Sequence, residues 1–161
     1  MTTNNDGPYL SVAAICEQIL EEKDGFVSAI RFIDKITLTP ALLNMPPEQL
    51  REASITINTL IVFKSGSYKG KKTVKLLMVY PSGKQLPSDM SFPVAFKGEE
   101  TGATLFIKIV FPPEEDGLYQ LDILLDEDFV TRIPFRIIYG QTQPRPTGME
   151  NSKTQGIPAG S

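Results

Sequence analysis

Polar and apolar positions alternate most clearly over residues 117–139. Tyr119, Leu121, Ile123 and Leu125 take one parity, and Gln120, Asp122, Leu124 and Asp126 take the other. A period of two with one mostly apolar face marks a half-buried strand. Phe129, Thr131, Ile133, Phe135 and Ile137 then alternate with Val130, Arg132, Pro134, Arg136 and Ile138. Asp126-Glu127-Asp128 lies between the two runs. A two-residue loop sets Leu121 against Pro134 and Ile123 against Arg132, which mixes the faces. A three-residue loop sets Leu125 against Phe129, Leu121 against Ile133, Tyr119 against Phe135 and Asp122 against Arg132. The pattern therefore predicts the three-residue loop. Pro134 has no N–H to give a ladder, so its strand is an edge or turns that position to open space.

Further strands are expected at 55–63, 73–80, near 92–96 and at 103–111, separated by Gly- and Pro-rich turns. Residues 26–38 alternate as one strand after the Lys23-Asp24-Gly25 turn. The stretch before that turn is ambiguous. Val12, Ile15, Cys16, Ile19 and Leu20 fall at helical spacing, with Ser11 as cap and Gly25 as stop, which suits a helix of about three turns over 11–22. Residues 39–53 form the longest connection. Pro46-Pro47-Glu48 can start one helical turn through Arg51. Leu42, Leu43 and Met45 are expected to plug the open end of the core rather than to offer an apolar patch.

Two resemblances bear on this pattern. Glu115-Asp116-Gly117-Leu118-Tyr119-Gln120-Leu121 resembles the D-x-G-x-Y-x-C start of a late strand in immunoglobulin-type sandwiches, with Glu115 for the Asp and Leu121 for the Cys. The likeness implies that Tyr119 forms a corner with upstream backbone. Ala14-Ile15-Cys16, Ile19-Leu20, Glu22, Asp24-Gly25, Ser28, Ile30 and Phe32-Ile33-Asp34-Lys35-Ile36 resemble the opening of a bacterial family of small β-sandwich proteins of uncharacterised function. Its members begin roughly L-C-D-x-x-x-x-D-x-D-G-x-x-S-x-I-x-x-F-D-x-I. The match lies mainly over residues 14–36, with Glu17 where many members have Asp. It implies a strand at 10–22 and brings no activity or site. The expected fold is an all-β antiparallel sandwich of seven or eight strands, immunoglobulin-like or C2-like. The sandwich domain spans 9–139, with a disordered N-terminus over 1–8 and a disordered tail over 140–161, where Met149 and Ile157 are the only large apolar residues.

Charge changes the picture more than composition does. The chain is 41% apolar and 22% charged with a net charge of −3, so no overall field draws it to nucleic acid or anionic membrane. Locally the charges separate. Lys64, Lys69, Lys71, Lys72, Lys75 and Lys84 lie between 53 and 88 with no acid. Residues 99–128 carry acids at 99, 100, 114, 115, 116, 122, 126, 127 and 128 and one lysine, Lys108. This is either ordinary decoration of strands and turn tips, or a docking face, or a basis for head-to-tail self-association. Lys69, Lys71 and Lys72 in the KSGSYKGKK connection are candidate contacts for a partner or an anion. The spacing there is not that of a phosphate loop. Glu114, Asp116, Asp122, Asp126 and Asp128 would serve calcium only if they converged on one point.

The chain has no histidine and one cysteine. The commonest general base is absent, and no intramolecular disulfide can form. Cys16 sits in an apolar run with no adjacent cation, as an inert thiol would. No cofactor and no metal site is expected. No apolar run is long enough to span a membrane, and the first residues do not read as a secretory signal. The expectation is a non-enzymatic, cytoplasmic module that binds a protein through an edge strand or a charged face. The alternatives are a self-assembling structural protein or an anion- or calcium-binding sandwich.

Overall fold

The computed structural model describes residues 6–99 and 101–140. They form nine strands: β1 Tyr9–Glu21, β2 Val27–Phe32, β3 Lys35–Leu38, β4 Ile55–Lys64, β5 Lys69–Val79, β6 Met90–Lys97, β7 Gly102–Phe111, β8 Gly117–Leu125 and β9 Asp128–Tyr139. A four-stranded sheet has the order β2-β1-β4-β7, and a five-stranded sheet has the order β3-β9-β8-β5-β6. Their facing sides build one core from residues such as Ile15, Ile57, Phe63, Leu76, Phe111, Leu121 and Ile137. The chain is an all-β two-sheet sandwich.

The strand count exceeds the expected seven or eight because residues 26–38 divide. Arg31 has φ of 54°. Beyond it Phe32 still pairs with Cys16 and Ile33 N–H donates to Ile15 O, and the chain then crosses to the other sheet, where Arg136 N–H donates to Asp34 O. The new strand, β3, runs parallel to β9, so one pairing departs from the antiparallel pattern.

Residues 9–21 form a strand, as the family resemblance implied and the helical spacing did not. Ile15 pairs with Thr59 and faces the core, while Cys16 pairs with Asn58 and faces away. Val12, Cys16 and Leu20 share that outer parity. A strand with apolar groups on both faces places them at intervals that mimic a helix.

The β8–β9 pairing matches the expected partners away from the turn: Tyr119 with Phe135, Leu121 with Ile133 and Asp122 with Arg132. The turn itself corrects the expectation. It has two residues, Asp126 and Glu127, with φ of 48° and 70°, values that suit a tight hairpin twist. The parity is restored by a bulge, since Ile123 pairs with Thr131 and Leu124 with Phe129, leaving Val130 extra. Phe129 therefore faces outward, with the Arg132 guanidinium 5.8 Å from its ring centre. Asp126 fixes the turn against β5. Its N–H donates to Thr73 O at 2.9 Å, and its carboxylate accepts from Thr73 N–H at 2.8 Å and from Lys72 at 3.2 Å.

Pro134 fits the strand as anticipated. Arg136 N–H points at Asp34, so the nitrogen two residues earlier points the same way, past the start of β3. Nothing is lost from the ladder there.

The corner at Tyr119 is present. Its hydroxyl donates to Glu115 O at 2.7 Å and accepts from Glu115 N–H at 3.1 Å. Tyr80 donates to Pro112 O at 3.0 Å, and Tyr139 donates to Pro113 O. Burial holds the Tyr119 hydroxyl far above the usual phenol range, so it stays a donor. Phe111, Tyr119 and Phe135 pack their rings below, with Tyr119 and Phe135 stacked at 5.5 Å.

The long connection is a partial plug. A short α1, Pro40–Leu43, is capped by the Thr39 hydroxyl, and a 3-10 turn spans Pro47–Glu52. Leu50 is buried and Leu43 packs on the core, but Leu42 is exposed. The expected disordered segments fall mostly outside the described residues. Asp6 is described, and its carbonyl accepts from Tyr68 N–H at 3.0 Å.

Three stability measurements check this account. Tyr119→Phe removes two hydrogen bonds from a buried corner and should cost about 1–3 kcal/mol in urea unfolding. Thr59 has a buried hydroxyl without a partner, so Thr59→Val should stabilise the fold by about 1 kcal/mol. The Thr73 N–H and Lys72 hold the Asp126 carboxyl below its ordinary pKa. That contribution is present at neutral pH and is lost as pH falls through the carboxylate range, below about pH 4. Asp126→Asn should lower the melting temperature at neutral pH, and its deficit against the natural protein should shrink in acid.

Candidate functional site

Alternation decides where the lysines point. On β5, Val74, Leu76 and Met78 are buried in the core, so Lys69, Lys71 and Lys75 lie on the opposite, outer face of the five-stranded sheet. Lys97 of β6 pairs directly with Lys69, and Ala95 pairs with Lys71. Lys69, Lys71 and Lys97 are all exposed. Among the described residues, no carboxylate lies within 4.0 Å of them. A second like-charged pair, Lys35 with Arg136, sits on the same face at the β3–β9 corner. Like charges set directly across a ladder cost stability. This face holds two such pairs.

Lys72 does not join its neighbours. It has the parity of Val74 and bends over the sheet's end, 3.2 Å from Asp126 and 5.0 Å from the Tyr68 ring centre. Of the three lysines the sequence singles out, the structure sets Lys69 and Lys71 on one face and turns Lys72 away, and it adds Lys97, which the sequence did not single out. The missing signal was the pairing of β5 with β6. Without it, the outer parity of Ser91, Pro93, Ala95 and Lys97 had no neighbour.

Three of the six lysines in the basic stretch meet acids of the acidic stretch within the molecule. Lys72 pairs with Asp126, Lys75 with Glu127 at 3.7 Å, and Lys84 with Glu114 at 2.7 Å. Asp122 is buried beneath Arg132, which grips both of its oxygens at 2.6 and 2.9 Å. Asp116 accepts from Tyr139 N–H. Glu114 and Asp116 precede β8 while Asp126 and Asp128 follow it, at opposite ends of a strand roughly 27 Å long. The acids named as calcium ligands do not converge. Among the described residues, no group of three or more potential metal ligands gathers.

Cys16 is buried, and burial raises its pKa. Its thiol points at Asn58 O, 3.7 Å away. This is the environment of an unreactive thiol.

No family model matches the chain, and no curated protein matches it. Solved structures do. A β-glucosidase from Listeria innocua in complex with glucose aligns at TM-score 0.47 and 9% identity, covering 84% of this chain. The chain spans only 17% of that enzyme's length. A CARDB domain from Pyrococcus furiosus, in complex with di-metal ions, aligns at 0.42 and 8% identity over 81% of this chain and 90% of its own. An immunoglobulin-like protein from Pseudomonas aeruginosa aligns at 0.38 and 14% identity over 79% and 97%. Likenesses this distant carry no argument about what the chain binds; the sandwich itself rests on its strands and their pairing.

Proposed function

We propose that this protein is a non-enzymatic binding module whose β5–β6 corner docks an acidic segment of a protein partner. The observation that supports this is the Lys69–Lys97 pair with Lys71 beside it: like charges placed where they oppose one another and where an anionic partner would relieve them. The edge-strand alternative is weaker. β6 carries Pro93, and the open part of β9 carries Pro134, so neither edge of this sheet offers a full ladder to an added strand. Head-to-tail assembly through opposed charges is also weaker, because three of the lysines already pair within the chain. The groups that would serve catalysis are engaged or buried: Asp122 with Arg132, Asp126 with Thr73, and Cys16 in apolar surroundings. Membership of the bacterial sandwich family is part of the proposal, supported by residues 14–36 forming the first hairpin and the crossover. A buried, unpaired thiol suits a reducing cytoplasm.

The test compares capture of proteins from host lysate by the natural protein and by a Lys69→Glu/Lys71→Glu variant. Both lysines are exposed, so the variant should fold with stability changed by no more than about 0.5 kcal/mol. The proposal expects an acidic protein retained at low salt, released at high salt and bound at least about tenfold more weakly by the variant. Equal capture by both proteins removes the corner from the reading, and retention of nucleic acid alone replaces the partner class.

A further inference from the structure

The four sheet edges are not alike. On the five-stranded sheet, β3 has only four residues and β6 carries Pro93, so both are poor templates for another strand. On the four-stranded sheet, β2 has six residues and contains the left-handed Arg31. The opposite edge, β7, has none of these devices. It runs ten residues without proline and pairs with β4 from Ile55–Phe111 to Lys64–Gly102 with no shift of register. Its one charge is Lys108. Ser65 N–H donates to Thr101 O at 2.9 Å, which fixes the direction of the backbone. In an antiparallel ladder the N–H and C=O of one residue point the same way, and alternate residues point oppositely. The odd-numbered residues from 103 to 111 therefore bond to β4. Gly102, Thr104, Phe106, Lys108 and Val110 turn their N–H and C=O away from it, and among the described residues no strand lies on that side.

The core is thinly covered on the same side. The facing sheet has one strand more, five against four. At one end of β7, Phe111 packs on Tyr119 of β8 and Phe135 of β9. At the other, Phe63, paired with Ala103, meets Phe96 of β6. β7 therefore crosses the wider sheet obliquely and draws away from β6 toward Phe111. Ala103 and Leu105 of β7 and Phe92 of β6 pack on the core but are only half-buried. A strand added beside β7 would cover this seam with its inward side chains. Its outward side chains would stand beside Thr104, Phe106 and Lys108. Lys108 pairs with Asn58 across the β4 ladder, and among the described residues it has no carboxylate within 4.0 Å. An acid on the added strand would sit directly across from it.

We infer that the free edge of β7 takes one extended segment of a partner protein as a fifth strand of this sheet. The segment runs antiparallel, as every existing pairing of the sheet does. It is apolar at alternate positions and acidic where it meets Lys108. Two copies joined β7 to β7 would drive their β6 strands together, because the five-stranded sheet is the wider; a single peptide strand meets no such obstacle. The inference stands independently of the proposed function, whose basic corner lies on the outer face of the other sheet.

Residue-resolved amide hydrogen exchange tests it. The probe is a peptide of about ten residues in which valine alternates with threonine, with glutamate in place of one central threonine. In an antiparallel pairing the outward threonines and glutamate carry the N–H groups that face β7. In the natural protein alone, the amides of Leu105, Ile107 and Ile109 should exchange slowly and those of Thr104, Phe106, Lys108 and Val110 quickly. The peptide at about 1 mM should slow the second set at least about fivefold. N-methylation of its threonines and glutamate should abolish that effect, and N-methylation of its valines should leave it. Lys108→Pro removes a donor that β4 does not use and should weaken the peptide at least about tenfold. If that variant does not fold, the two methylated peptides decide the matter. A peptide that leaves the second set unchanged overturns the inference, as does equal binding of both methylated forms. So does protection of the second set that rises with protein concentration alone, which would assign the edge to a second copy of this chain.

Discussion

Three tyrosine hydroxyls hold the connection that carries the chain from one sheet to the other. Tyr80, Tyr139 and Tyr119 donate to the carbonyls of Pro112, Pro113 and Glu115. Two of these residues are prolines, so the segment has few N–H groups and cannot satisfy its own carbonyls. Tyrosine solves this because its ring belongs in the core and its hydroxyl reaches the rim. The rings beneath pack on Phe111 and Phe135, one from each sheet. Sheet stacking and crossover geometry are therefore one interaction, and the remaining strands align to it.

Charge follows a similar logic of local closure. The lysine-rich and acid-rich stretches look like opposite poles in the sequence, yet β5 lies beside β8 and brings Thr73, Lys72 and Lys75 to the Asp126-Glu127 turn. On the outer face of the five-stranded sheet, the described cations with no carboxylate within 4.0 Å are Lys69, Lys71 and Lys97 at one corner and Lys35 and Arg136 at another. Exposed pairs contribute little stability individually. Their value here lies in fixing which cations are left over.

Much of the fold was legible because a period of two is hard to counterfeit over eight residues. The β8–β9 partners away from the turn followed from it; the corner at Tyr119 followed instead from the likeness of residues 115–121 to an immunoglobulin-type strand entry, and the helical turn after residue 46 from the two prolines at 46 and 47. The errors share a cause. A strand with apolar groups on both faces, as at Val12 to Leu20, looks helical. A strand that changes sheets, as at Arg31 to Asp34, looks continuous. Both depend on what lies above and below the strand, which a single sequence does not encode locally. The candidate site was half legible: in the sequence Lys69, Lys71 and Lys72 share one connection, whereas β5 begins at Lys69, so alternation turns Lys72 from the other two, and Lys97 joins Lys69 only through a pairing across 28 residues.

The bulge at Val130 has a consequence for how such chains change length. It is a spare residue between a tight turn and a regular ladder. Deleting it would join Phe129 to Thr131 with every later side chain still on its present face. Deleting Arg132 instead would invert Ile133, Phe135 and Ile137 together. Insertions and deletions in related chains should therefore collect beside this turn, where the sandwich absorbs a change of one residue without exchanging its inside for its outside.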